Sequence, residues 1–171
     1  ANDSTYGHDI TRKQLESGRS YVQIRESILR SPVYPDPNTD QGSHTVKTSL
    51  KIGSSVTDSI AEGYRLNLGL RSHHGEMPVK PLISVANSNV VVESVKLAED
   101  GSSDLIVRLY EGTGSRVSVS ISVNFDYSRV ALVDLLENEL ESQDDLQAHD
   151  ASELKLELRP FKIATLRFHR G

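Results

Sequence analysis

An antiparallel β-sandwich with at most one or two short helices is the all-β fold class this sequence predicts. Three features carry that reading: nine or ten short runs of alternating apolar and polar residues, turn residues about every ten positions, and an apolar palette dominated by Val, Leu and Ile.

Taken in order, Tyr21–Arg30 (YVQIRESILR) alternates through Val22, Ile24 and Ile28, with Glu26 out of step. A strand with a bulge near Glu26 is expected. Ser31–Gly42 holds Pro32, Pro35 and Pro37 and two Asn/Asp-rich steps, which make an extended loop. The Pro32–Pro35 spacing fits a rigid loop beside a sheet better than a ligand for an SH3 domain. Ser43–Ile52 (SHTVKTSLKI) reads as a strand, broken at Gly53. Val56, Ile60 and Tyr64 lie four apart, which predicts a short helix capped by Ser55 or Thr57. Leu66, Leu68 and Leu70 then alternate as a strand, and Arg71–Pro81 is a loop.

The second half is more regular. Leu82–Val85 is a short strand. Val90–Leu97 and Asp104–Glu111 are two strands of a hairpin about Glu99–Asp100–Gly101. Gly112–Thr113–Gly114 is expected to close a further hairpin onto Val117–Phe125, the cleanest alternation in the chain. Val130–Leu136 is another strand, and Glu137–Asp150, with six acidic residues and no Lys or Arg, reads as a solvated, mobile connection. Leu154, Leu156 and Leu158 alternate, Pro160 interrupts, and the set Phe161, Ile163, Thr165, Arg167 alternates against Lys162, Ala164, Leu166, Phe168. The expected division is an N-terminal β layer over residues 1–81 and a sandwich over 82–171, or one continuous domain.

Composition excludes several classes. A net charge of −5 argues against nucleic acid as a partner. With no cysteine there is no disulfide scaffold, thiolate zinc site or thiol nucleophile, which fits a cytoplasmic protein. No apolar run approaches the roughly 20 residues of a membrane span, so no membrane partner is expected. A secretory leader pattern is not seen. Ala1 at the start and a single methionine, Met77, fit either a processed initiator or a chain cut from a longer one.

Spacing alone reveals no chemistry. None of His8, His44, His73, His74, His149 and His169 shows a helical metal spacing, and the neighbours His73 and His74 point apart on an extended segment. His44 is expected to tuck against a neighbour. The acidic run lacks the glycine and spacing of a calcium loop, and Asn2–Asp3–Ser4 is a chance glycosylation match. No metal site and no catalytic residue is assigned in this chain.

Several runs, in order, resemble the C-terminal region of the family 38 glycoside hydrolases, the class of the cytosolic-type α-mannosidases. Asn2–Asp3–Ser4–Thr5–Tyr6–Gly7 resembles the family's "ND-x-K-YG", with Thr5 replacing the usual lysine. Ile28–Leu29–Arg30–Ser31–Pro32 with Tyr34–Pro35–Asp36–Pro37 resembles "LLRSP-x-x-PDP". Asp40–His44 resembles "D-x-G-x-H", followed here by Thr45–Val46 in place of Glu-Phe. Val90–Gly101 with Leu105–Glu111 resembles "VVLE-x-VK-x-AED … LVLRLYE", and Leu135–Glu137 with Pro160–Leu166 resembles "DLLE … PFEI-x-TL".

The resemblance implies a β-rich, non-catalytic domain of a retaining α-mannosidase acting on terminal α-D-mannosides. Zinc or another divalent metal would be the cofactor of the full-length enzyme, held in an N-terminal part this sequence does not include. The partners implied are that catalytic domain and, through it, mannose-containing oligosaccharides. By the same resemblance Asp3 and Tyr6 are substrate-binding candidates in the full-length enzyme, a carboxylate and an aromatic face suiting a sugar. The alternative reading is a stand-alone carbohydrate-binding module, which would display a row of aromatics. With three Phe, six Tyr and no Trp, no such platform is evident. An adhesion-type sandwich with edges for partner strands leaves the family runs unexplained.

Overall fold

The computed structural model describes residues 7–72, 74–148 and 153–171. The chain divides into two compact units, Ala1–Ser54 with Asp58–Leu70, and Ser55–Thr57 with Arg71–Gly171.

In the first unit, β1 (Gly7–Gln14) and β2 (Ser20–Ser27) form an antiparallel hairpin, Ile10 lying opposite Ile24 and Arg12 opposite Val22. The bulge expected at Glu26 is absent, because Glu26 pairs His8 in an unbroken register. Ser31–Gly42 is the expected loop, braced by its own polar groups. Asp40 accepts the Ser31 amide at 3.2 Å, and Ser31 Oγ donates to Thr39 O at 3.0 Å. His44 Nε2 meets Asp40 O at 2.8 Å, the neighbour contact expected of it. Ser43–Ile52 is not a strand: Val46, Leu50 and Ile52 stay exposed. Alternation makes a strand only where a neighbour supplies the ladder, and none does so among the described residues. The helix α1 (Val56–Asn67) runs one turn longer than its apolar spacing implied and takes in Arg65–Asn67, which overturns the strand expected there. No described residue from 7 to 72 is buried.

The second unit holds the core. Here β4 (Val90–Leu97), β5 (Leu105–Glu111), β10 (Ile163–His169) and β7 (Arg129–Val133) form one sheet in the order β4-β5-β10-β7. The other contains β3 (Ile83–Val85), β6 (Val117–Val123), β9 (Glu153–Leu158) and β8 (Leu146–Ala148), in the order β3-β6-β9-β8. Two antiparallel sheets enclosing one apolar layer make the predicted sandwich.

The alternation read from the sequence dictates what is enclosed. Val117, Val119, Ile121 and Val123 of β6 face Leu105, Val107, Leu109, Leu166 and Phe168 of the opposing sheet within one buried cluster. Phe168 meets Phe125 and Tyr127 edge-on, with ring centroids 5.2 and 5.1 Å away. A bulge does occur, at Glu93, where the β4–β5 register shifts between Val92 and Ser94. Gly112–Thr113–Gly114 does not close a hairpin: β5 and β6 belong to different sheets, so this turn carries the chain across the sandwich.

The acidic stretch is also not simply solvated. Leu140 N donates to Leu132 O at 3.0 Å, and Glu139 bridges Val133, so the segment doubles back along the free edge of β7. Gln143 secures it, its side-chain amide donating to Leu132 O at 3.0 Å and to Leu140 O at 2.8 Å. Residues 146–148 then add β8 to the second sheet. Covering an edge in this way satisfies backbone groups that an open edge would leave unpaired.

Candidate functional site

Asp3 and Tyr6, the residues that the family resemblance marks for substrate, lie outside the described residues, as do His73 and His149. Among the described residues no three His, Asp or Glu side chains converge to hold a metal ion. The densest polar constellation is one the sequence reading missed, on the outer face of the β4-β5-β10-β7 sheet.

Its origin is the period of two along β10. Leu166 and Phe168 point into the core, so Thr165, Arg167 and His169 stand on the other face. The register sets Thr165 beside Arg108, Arg167 between Ile106 and Ala131, and His169 beside Arg129. At the end of this row Asp104 collects the donors. Its Oδ2 accepts from Arg167 Nε at 2.8 Å and lies 2.9 Å from His169 Nδ1, while Oδ1 accepts the Arg170 amide at 3.0 Å. Arg167 also reaches Asp100 Oδ2 at 2.6 Å. His169 Nε2 lies 2.9 Å from Arg129, and Arg129 pairs with Glu139.

Glu137 extends the network. It is 8% exposed, in a left-handed conformation (φ 70°), and accepts Lys96 Nζ at 2.6 Å and the Glu99 amide at 2.7 Å. A second buried carboxylate, Glu111, sits where the chain crosses between sheets. It accepts the amides of Thr113 (2.9 Å), Gly114 (2.8 Å) and Phe161 (3.1 Å), and the Thr113 hydroxyl.

These surroundings keep the carboxyls ionised. At Glu111 burial pushes the pKa up, but the Thr113 hydroxyl and the Phe161, Thr113 and Ser115 amides outweigh it and bring the value down to about 2. Asp104 balances the same way: burial raises it, and the Arg170 amide, Arg167 and His169 hold it below the usual carboxylate range. Lys96 first, then the Glu99 amide, lower Glu137. Every carboxyl among the described residues with a resolved shift is held low. A general acid needs the reverse, a carboxyl raised toward neutrality. The constellation therefore stitches strands, turns and the acidic segment together, and is not arranged for proton transfer. The one sequence signal for it was an Arg and a His on the non-core parity of β10, opposite hairpin acids.

Comparison with known proteins assigns the sandwich. Residues 89–166 match the model described as the glycosyl hydrolases family 38 C-terminal beta sandwich domain. That span begins just ahead of β4 and ends within β10, so it takes in six of the eight sandwich strands whole and the first part of β10. Residues 89–166 belong with the family 38 C-terminal sandwich domains. Similarity continues beyond the sandwich. The chain is 32% identical to human "Alpha-mannosidase 2C1", covering 96% of itself and 16% of that protein. It is 30% identical to "Alpha-mannosidase G" of Dictyostelium discoideum, over 98% of itself and 15% of the relative. To the "Alpha-mannosidase" of Saccharomyces cerevisiae it is 27% identical, over 85% of itself and 16% of the relative. The chain thus spans about a sixth of the length of the curated relatives it matches, and the family 38 sandwich is a minor share of each.

Proposed function

We propose that this chain is the non-catalytic β-rich portion of a family 38 α-mannosidase that hydrolyses terminal α-D-mannosides with retention, on mannose-containing oligosaccharides in the cytoplasm. The observation that carries the reading is the coincidence of the family 38 C-terminal domain with the folded sandwich, inside a similarity to α-mannosidases that covers nearly the whole chain. Lack of cysteine agrees with a reducing compartment, and no helix among the described residues is long and apolar enough to cross a membrane.

The full-length enzyme would use zinc or another divalent metal. The described residues of this chain do not form a ligand set for it, so no step here is routed through a metal. In this reading the chain supplies a rigid scaffold, and Asp3 and Tyr6 wall the sugar pocket of the complete enzyme, the carboxylate hydrogen-bonding and the ring stacking on the mannose.

The test is turnover of an aryl α-mannoside. The full-length polypeptide is expected to hydrolyse it, to lose activity to a chelator and to regain it with a divalent metal. The 171-residue chain with added zinc is expected to release no aglycone. Turnover by the short chain overturns the non-catalytic assignment, and an inactive full-length protein overturns the mannosidase reading. Asp3→Ala in the full-length enzyme should reduce kcat/KM; unchanged kinetics would remove Asp3 from the pocket.

A further inference from the structure

The first unit raises a question that the sandwich does not. Not one described residue between 7 and 72 is buried, whereas the buried residues all lie at Ile83 or beyond. Yet one face of the β1–β2 hairpin carries an apolar patch, flanked on that face by Arg12 and by the His8–Glu26 pair. Ile10 and Ile24 pair across the strands, and Val22 follows Ile24 on the same side. Their exposures are 64%, 63% and 63%. On the opposite face Thr11 and Gln23 also pair, and Thr11 Oγ1 and Gln23 Oε1 are shielded from solvent with no hydrogen-bond partner. A two-stranded hairpin is marginal alone and needs a third strand or a packed surface. Here the apolar face has no cover and a shielded polar pair has no donor.

We infer that the Ile10–Val22–Ile24 face of this hairpin docks onto the polypeptide that precedes this stretch in the complete protein. The inference rests on the reading of the chain as part of a longer α-mannosidase. Two observations choose this occupant over a second copy. The relatives are about six times longer than their match to this chain, and the matched family domain is C-terminal, which sets most of that length ahead of the hairpin. The absence of burial also extends through all described residues of the first unit, as expected of a segment whose core is completed by other chain. A pure dimer contact would leave a unit of this size without a core in each monomer.

The experiment uses the full-length protein. The photo-crosslinking residue p-benzoylphenylalanine replaces Ile24, the sample is irradiated, and crosslinked peptides are mapped by mass spectrometry. Crosslinks to peptides ahead of residue 1 are expected. Crosslinks between two copies, crosslinks confined to residues 71–171, or no crosslink at all overturn the inference, as does a native product no longer than this chain. Aryl α-mannoside hydrolysis is measured on the same preparation before irradiation. A mapped crosslink without turnover keeps the docking surface and sinks the mannosidase reading; turnover without the crosslink does the reverse.

Discussion

The Glu137 carboxylate accepts the backbone amide of Glu99 at 2.7 Å, joining positions 38 residues apart. The same carboxylate takes Lys96 at 2.6 Å, so one buried side chain pins the acidic segment to the turn between β4 and β5. Removing it takes away a hydrogen bond to a charged acceptor, typically worth about 1.5–3 kcal/mol. Glu137→Ala should therefore lower stability by about that amount in urea denaturation at neutral pH. Lys96→Met should cost less, because Glu137 keeps its amide hydrogen bond and Lys96 is partly exposed. Equal losses would mean that the ion pair, not the amide, carries the contact.

Glu111 sets an acid limit. Its pKa falls from an ordinary 4.5 to about 2 in the folded protein. The folded state therefore binds this proton more weakly than the unfolded chain does, and stability gained by ionisation is complete above about pH 4.5 and lost as pH falls toward about 2. Unfolding free energy measured across that window should drop more steeply for the native chain than for Glu111→Gln, which has no proton to gain there. Parallel slopes would show that Glu111 does not govern the transition.

Legibility in the sequence followed the presence of a partner surface. Val117–Phe125 was readable as a strand because its Val and Ile positions meet a second apolar sheet, so pattern and packing agree. Ser43–Ile52 shows nearly the same alternation but gains no ladder, and Val46, Leu50 and Ile52 remain exposed. Arg65–Leu70 failed for a related reason: leucines two apart suit a strand, but the residues before them had already nucleated α1, and extending a helix is easier than starting a strand. Gly112–Thr113–Gly114 has turn chemistry that serves a hairpin or a crossing between sheets equally, and Glu111 ties it to the β9–β10 turn by accepting the Thr113 and Gly114 amides and that of Phe161. Glu137 was hidden inside a run of acids, since nothing in composition marks which of them is buried against a lysine. The family assignment was legible because it rests on ordered sequence runs, whereas Asp3 and Tyr6 await an experiment on the complete enzyme.

Gly114 is a tightly placed glycine in a left-handed conformation. Its φ is +80°, and an added Cβ would lie 2.8 Å from Phe161 Cζ. Two costs are possible, and exposure separates them. Phe161 is 70% exposed, so its ring tip has room to swing away. The left-handed backbone cannot be relieved in this way and costs an L-residue about 1–2 kcal/mol. Gly114→Ala should lose about that much stability, and a Phe161→Ala background should restore little of it. Full restoration would show that the ring contact, not the backbone, is the constraint.

Asp104 tests the outer-face network itself. Its side chain is 10% exposed and that of Arg167 is 15% exposed, so their 2.8 Å contact is shielded from solvent screening. Removing one member of a buried pair strands the other, at about 3 kcal/mol. Asp104→Ala should approach that figure, because His169 Nδ1 and the Arg170 amide lose their acceptor together with Arg167 Nε. Asp104→Asn keeps one oxygen for the Arg170 amide and should cost less. Arg129→Met, at the half-exposed end of the row, should cost least. The readout is the ranking of denaturation midpoints for the three variants, with amide exchange at Arg170 as a local check. Exchange should accelerate in Asp104→Ala and stay slow in Arg129→Met. If Arg129→Met proved the most damaging, stability would centre on the Arg129–Glu139 pair, and Asp104 would be a bystander that merely accepts the strand's last amide.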